Sequence, residues 1–200
     1  MGSLEVSNID EVKTGHGKIL VRPLKENTSI VIGGHTFFIN TTYRPEAHSV
    51  SAGEVISSYH PEIQCGDVAV FHYLSTLNAI RDKRYLTKGK EIYYSVAEES
   101  VYMVRRGQAI IPVNGYMLVS PLKQYELDKI GKIYLPENFS KKEKASRGIV
   151  KYLGSGAHLA NVGDEIIFRK TSSVPIQYEL HQILPEKLFR MKSDSVLAIV

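Results

Sequence analysis

The chain says nearly the same thing twice. "GKILVRPLK" at 17–25 returns as "GYMLVSPLK" at 115–123, and three further landmarks follow in the same order in each half. "AGEVIS" (52–57) matches "RGIVKY" (147–152), "CGDVAVF" (65–71) matches "VGDEIIF" (162–168), and "EESVYMV" (98–104) matches "SDSVLAIV" (193–200). The four offsets are 98, 95, 97 and 95. One echo can arise by chance, whereas four in register mean an internal duplication, and whatever one half folds into the other must fold into as well. The reading is an extension at 1–16, a first domain at 17–105, a linker "RGQAIIPVN" at 106–114, and a second domain at 115–200. The period is too long for a solenoid repeat.

Within each half the texture is that of β-structure. "KILVRPL", "GEVIS", "GDVAVF", "IYYSV" and "SVYMV" are short runs rich in Val, Ile and Tyr, bounded by Gly, Pro, Asp or Ser. Long segments with apolar residues at helical spacing are absent. The Gly-Asp pairs at 66–67 and 163–164 fit tight turns, in which Gly takes a positive φ and Asp bonds nearby backbone. Pro23 and Pro121 end or edge their strands, because proline has no N–H to give a ladder. Several short strands in about 90 residues predict a small barrel or sandwich in each half.

Composition narrows the function classes. Hydrophobic content is 43% and charged content 23%, as in a globular protein. No run approaches the roughly 18 apolar residues of a membrane span, and the N-terminus has neither an apolar signal core nor an Arg-rich transit pattern. With one cysteine, Cys65, the chain has no intrachain disulfide, and a cytoplasmic setting is expected. Net charge is +4, and the excess gathers in "SKKEKASRGIVK" (140–151), which carries no aromatic residue. That pattern reads as a solvated basic loop, and neither a nucleic-acid nor a membrane partner is expected.

No enzyme site emerges. His16, His35, His48, His60, His72, His158 and His181 form no HExxH or close-spaced ligand pair, and Gly154-Ser155-Gly156 lacks the Gly-Lys-Ser/Thr of a P-loop. Asp67 and Asp164 belong to the repeated turn. No metal, cofactor or catalytic residue is expected, and dinucleotide chemistry would need a GxGxxG unit that the chain lacks.

From "GYMLVSPL" through "GKIYLPENFSKKEKASRGIVKYLGSG" and "VGDEIIF" to "SDSVLAIV", the second half resembles a GroES-type co-chaperonin, the chaperonin-10 family. The first half resembles it through "GKILVRPL", "AGEVIS", "CGDVAVF" and "GKEIYYSVAEESVYMV". The tandem arrangement is similar to the double-domain co-chaperonins of plastids. The resemblance implies an all-β fold of two partly open barrels and assembly into a ring that caps a GroEL-type chaperonin. It also implies a loop between the first two strands whose apolar triplet inserts into the partner. In the second half the loop is about 124–146 and the triplet is Ile133, Tyr134 and Leu135, with tyrosine where the family has a small aliphatic. In the first half the loop is about 26–51, and by spacing to the following Gly53 the triplet is Phe37, Phe38 and Ile39.

The flanks of Gly33-Gly34, Ser-Ile-Val-Ile and Thr-Phe-Phe-Ile, predict that this first loop is a β-hairpin. The terminal strands supply the expected oligomer contacts: Val196, Leu197 and Ile199 in one half, Val101 and Val104 in the other. Short segments stand where the family often has a long roof insertion, which implies an open top. The family's ring is sevenfold, and pairs of domains cannot fill seven places evenly. Either one domain of each chain forms the ring or the ring has another number. The alternative function is a structural or assembly protein that keeps the fold without the chaperonin.

Overall fold

The computed structural model describes residues 4–24, 29–32, 35–38, 50–122, 129–130, 133–134, 146–168, 174–175 and 188–200. The chain divides into two compact units, Met1–Ile110 and Ile111–Val200.

In the first unit, β1 (Leu4–Glu5) is followed by β2 (Lys18–Pro23), the paired strands β3 (Ser29–Ile32) and β4 (His35–Phe38), β5 (Ala52–Ser58) and β6 (Val68–Phe71). A helix α1 (Leu74–Arg81) leads to β7 (Tyr85–Lys88), β8 (Glu91–Ala97), β9 (Val101–Arg106) and β10 (Ala109–Pro112). The strand order is β1-β7-β8-β2-β5-β6-β9-β10. The second unit begins with β11 (Tyr116–Pro121), the short pair β12 (Lys129–Ile130) and β13 (Ile133–Tyr134), and β14 (Ser146–Leu153). It continues with β15 (Glu165–Phe168), β16 (Val174–Pro175), β17 (Phe189–Lys192) and β18 (Val196–Ile199), in the order β16-β17-β11-β14-β15-β18. Among the described residues neither sheet closes on itself, so the all-β expectation holds with open sheets rather than sealed barrels.

Set side by side, β8-β2-β5-β6-β9 and β17-β11-β14-β15-β18 are the same five strands in the same order. Their irregularities repeat too. A bulge falls between Leu20 and Val21 against β5, and another between Leu118 and Val119 against β14. A second pair of bulges falls at Val70/Phe71 and at Ile167/Phe168. Bulges bend a strand and sharpen its twist, so matched bulges give matched sheet curvature.

Two glycines make the central pairings possible. Gly53 lies opposite Pro23, and a Cβ on it would stand 2.7 Å from the Arg22 carbonyl oxygen. Gly148 lies opposite Pro121, where a Cβ would meet a Val119 methyl at 2.4 Å and the Ser120 carbonyl oxygen at 2.8 Å. Strands this close exclude any side chain.

The core of the second unit gathers Met117, Val119, Val150, Ile166, Phe168 and Met191, with Leu153, Phe189 and Val196 against it. In the first unit the central strand is buried on both faces, with Ile19, Leu20 and Val21 all enclosed. Leu20 and Tyr93 pack with Ile9, while Val6, Val12, Ile56 and Leu86 border them. The N-terminal extension is therefore part of the first unit: β1 adds in parallel to β7, and Ile9 seals the face that Leu20 presents. The sequence reading did not include α1. This helix buries Thr76 and Ala79 rather than large apolar side chains, and Thr76 Oγ1 donates to the Val50 carbonyl at 2.7 Å. No helix among the described residues is long and apolar enough to cross a membrane.

Candidate functional site

The repeated Gly-Asp turn is scaffold, as its sequence suggests. Gly66 (φ +86°) and Gly163 (φ +98°) take the left-handed backbone that favours glycine. Each donates its N–H to a matched residue, Val55 or Val150, at 2.8 Å. Each aspartate then accepts a backbone N–H three residues back: Gln64 to Asp67 at 2.8 Å, and Asn161 to Asp164 at 2.7 Å.

The turns differ in one partner. Asp67 is 2% exposed and holds Arg106 through two bonds, from Nε at 2.8 Å and Nη2 at 2.9 Å. Arg106 also donates to the Glu62 carbonyl at 3.0 Å. Its guanidinium pKa is raised, first by the hydrogen bond to Asp67. Asp164 is half-buried, and Asn161 Nδ2 lies 3.5 Å from the oxygen that accepts the Asn161 N–H.

Between the first two repeated strands of each unit stands a hairpin. β3 and β4 pair from Ser29 opposite Phe38 to Ile32 opposite His35, with Gly33 and Gly34 between, as the Gly-Gly signal predicts. β12 and β13 pair Lys129 with Tyr134 and Ile130 with Ile133, with Gly131 and Lys132 between. Ile133 and Tyr134 are thus on the second hairpin strand, Phe37 and Phe38 on the matching strand of the first, and Ile39 and Leu135 lie outside the described residues.

The pairing adds a register that the sequence reading missed. Ile32/His35 and Ile130/Ile133 are 98 residues apart, the same offset that relates "GKILVRPLK" to "GYMLVSPLK". By this count His35, Thr36 and Phe37 stand where Ile133, Tyr134 and Leu135 stand. Counting forward from Pro23 and Pro121 would have found His35 and Thr36. Counting back from Gly53 leads to Phe37, Phe38 and Ile39, because the offset falls from 98 to 95 between hairpin and next strand.

The expected oligomer residues fall into two opposite settings. Val101 and Val104 are fully buried, as are their neighbours Tyr102 and Met103, and β10 is hydrogen-bonded beside their strand. In β18 the matched residues are open: Leu197 is 52% and Ile199 49% exposed, while Val196 is half-buried. β18 is the last strand of its sheet.

Residues 109–200 match the family model described as Chaperonin 10 Kd subunit. The second half is a chaperonin-10-like domain. The match starts at Ala109, the first residue of β10, and takes in the β12-β13 hairpin and the open β18 edge. No curated protein matches the chain. Among the described residues no cluster of three or more His, Cys, Asp or Glu could hold a metal ion.

Proposed function

We propose that this protein is a co-chaperonin, a ring-forming lid that engages a GroEL-type chaperonin through the hairpins between its first two repeated strands and assists ATP-dependent folding. It acts by binding and carries no catalysis of its own, and we place it in the cytoplasm. The observation that carries the reading is the chaperonin-10 match over residues 109–200, which contains a hairpin bearing Ile133 and Tyr134. The first unit repeats the same five strands, bulges and hairpin and is read as a second domain of the same kind.

The energetics of such a lid follow from the loop. Burying an aliphatic side chain contributes about 1.5–3 kcal/mol, while ordering each loop residue costs about 1–2 kcal/mol. A single loop therefore binds weakly. Several loops on one assembly bind together, because the first engagement raises the effective concentration of the rest. A paired hairpin lowers the ordering cost by fixing part of the backbone beforehand.

Co-sedimentation with a GroEL-type chaperonin, with and without ATP, tests the reading. The intact chain should pellet with the chaperonin only when nucleotide is present. Ile133→Ser with Leu135→Ser should abolish that association and leave the circular dichroism spectrum unchanged. Unaltered binding by this variant would remove the second hairpin from the interface, and no binding by the intact chain would favour a structural or assembly protein.

A further inference from the structure

The two repeated sheets differ in which of their edges are taken. The outer side of β9 is hydrogen-bonded to β10, whereas β18, its counterpart, has no described strand beyond it. The segment matching β10 in the first unit lies 98 residues earlier, at 11–14, and belongs to no strand. It alternates nonetheless: Glu11 and Lys13 are exposed, Val12 and Thr14 half-buried. The N–H of Val12 bonds the Ile9 carbonyl at 3.1 Å, and that of Thr14 bonds Ser57 Oγ at 3.3 Å. In extended chain, successive N–H groups point to opposite sides, which turns the backbone of Glu11 and Lys13 outward.

We infer that residues 11–14 of one copy add as a strand to the β18 edge of a second copy, and that the whole chain is therefore the repeating body of the assembly. This rests on the lid reading and specifies how its copies join. A ring of first units alone is excluded because β9 is already completed within the chain. A ring of second units alone is excluded because β10, the strand that would join them, is already engaged. One open edge and one unused complementary segment per chain define a head-to-tail contact. Both units then lie between the two contacts of every chain, and the assembly contains an even number of units.

The test uses the full chain with Cys65→Ser, Lys13→Cys and Leu197→Cys. On oxidation we expect a ladder of covalent multimers ending in one closed species, with the mass that light scattering gives for the untreated particle. Electron microscopy should count two densities per chain within that ring. Variants carrying either new cysteine alone should give no ladder. An intact particle without cross-links, a ring with an odd number of units, or a monomeric chain would each overturn the inference. Co-sedimentation with the chaperonin separates the claims: binding without cross-links sinks only the inference, and cross-links without binding sink only the lid reading.

Discussion

β9 and β18 are one strand written twice, with opposite fates. Tyr102 is 1% exposed and its counterpart Leu197 52%; Val104 is 0% exposed and its counterpart Ile199 49%. The pairing that aligns them is shared, with Ala69 opposite Val104 and Ile166 opposite Ile199. The ladder to the preceding strand therefore cannot be the cause of the difference. What differs is the other side: β9 has β10 as a neighbour, and β18 has none among the described residues. An apolar strand with an open edge is a template for another chain, and proteins ordinarily blunt such edges with charge. β18, Val-Leu-Ala-Ile, carries no charge. The comparison teaches that a duplicated element can be core in one copy and contact surface in the other.

The strongest way to break this comparison is to place a carboxylate at the matched positions. Val104→Asp buries an unpaired charge and should cost more than about 4 kcal/mol, enough to unfold the first unit. Ile199→Asp should cost the fold less than about 1 kcal/mol and instead lower the particle mass. Thermal melts by circular dichroism, run beside light scattering, read both. Equal loss of fold in the two variants would mean that β18 is core after all.

A smaller effect separates the two Gly-Asp turns. Asp67→Ala removes the turn bond and the Arg106 pair. The arginine left behind is 38% exposed and partly hydrated, so the loss should be about 2 kcal/mol rather than the 3–5 kcal/mol of a fully buried pair. Asp164→Ala removes the bond from Asn161 and should cost about 1 kcal/mol. Hydrogen exchange at Val55 and Val150, whose N–H groups bond the carbonyls of these aspartates at 2.8 and 3.0 Å, reports on each turn separately. Equal changes would show that Arg106 contributes nothing.

The smallest effect depends on pH. Tyr93 donates its hydroxyl to Glu91, which holds its pKa above the ordinary tyrosine value, with burial adding to the rise. The matched position in the second unit is Leu188, which has no hydroxyl. A raised folded-state pKa means that this contribution is fully present below the ordinary value of about 10 and lost as pH rises through the raised one. Glu91 is 52% exposed, so the loss should be about 1 kcal/mol. Urea midpoints at pH 8 and pH 11 should differ more in the intact chain than in Tyr93→Phe. The same drop in both would assign the alkaline loss to other groups.

Much of this architecture was legible because the chain contains its own comparison. The five repeated strands, the Gly66 and Gly163 turns and the Gly33-Gly34 hairpin all follow from landmarks that recur in register. The features that escaped have no second copy or follow a different period. In α1 the large apolar residues Leu74 and Ile80 are exposed while Thr76 and Ala79 are buried, so apolar spacing does not mark its packed face. Val6, Ile9 and Val12 recur every three residues, neither a strand's period nor part of the repeat, and their place against Leu20 and Tyr93 is set by tertiary packing. At the hairpins, a change in loop length left two possible alignments, and backbone pairing selected one.

The parallel pairing of β1 with β7 joins Leu4 to Leu86, across nearly the whole first unit. During synthesis the first residues to leave the ribosome must wait for some of the last of that unit before their strand can form. Contacts this distant in sequence form slowly, since the intervening chain has to be ordered first. Until then Val6, Ile9 and Val12 stay uncovered on a nascent chain. The unit locks only when both of its ends have emerged, so a polypeptide broken off before β7 leaves a sticky fragment, and one that reaches β8 can shield itself before the second unit is made.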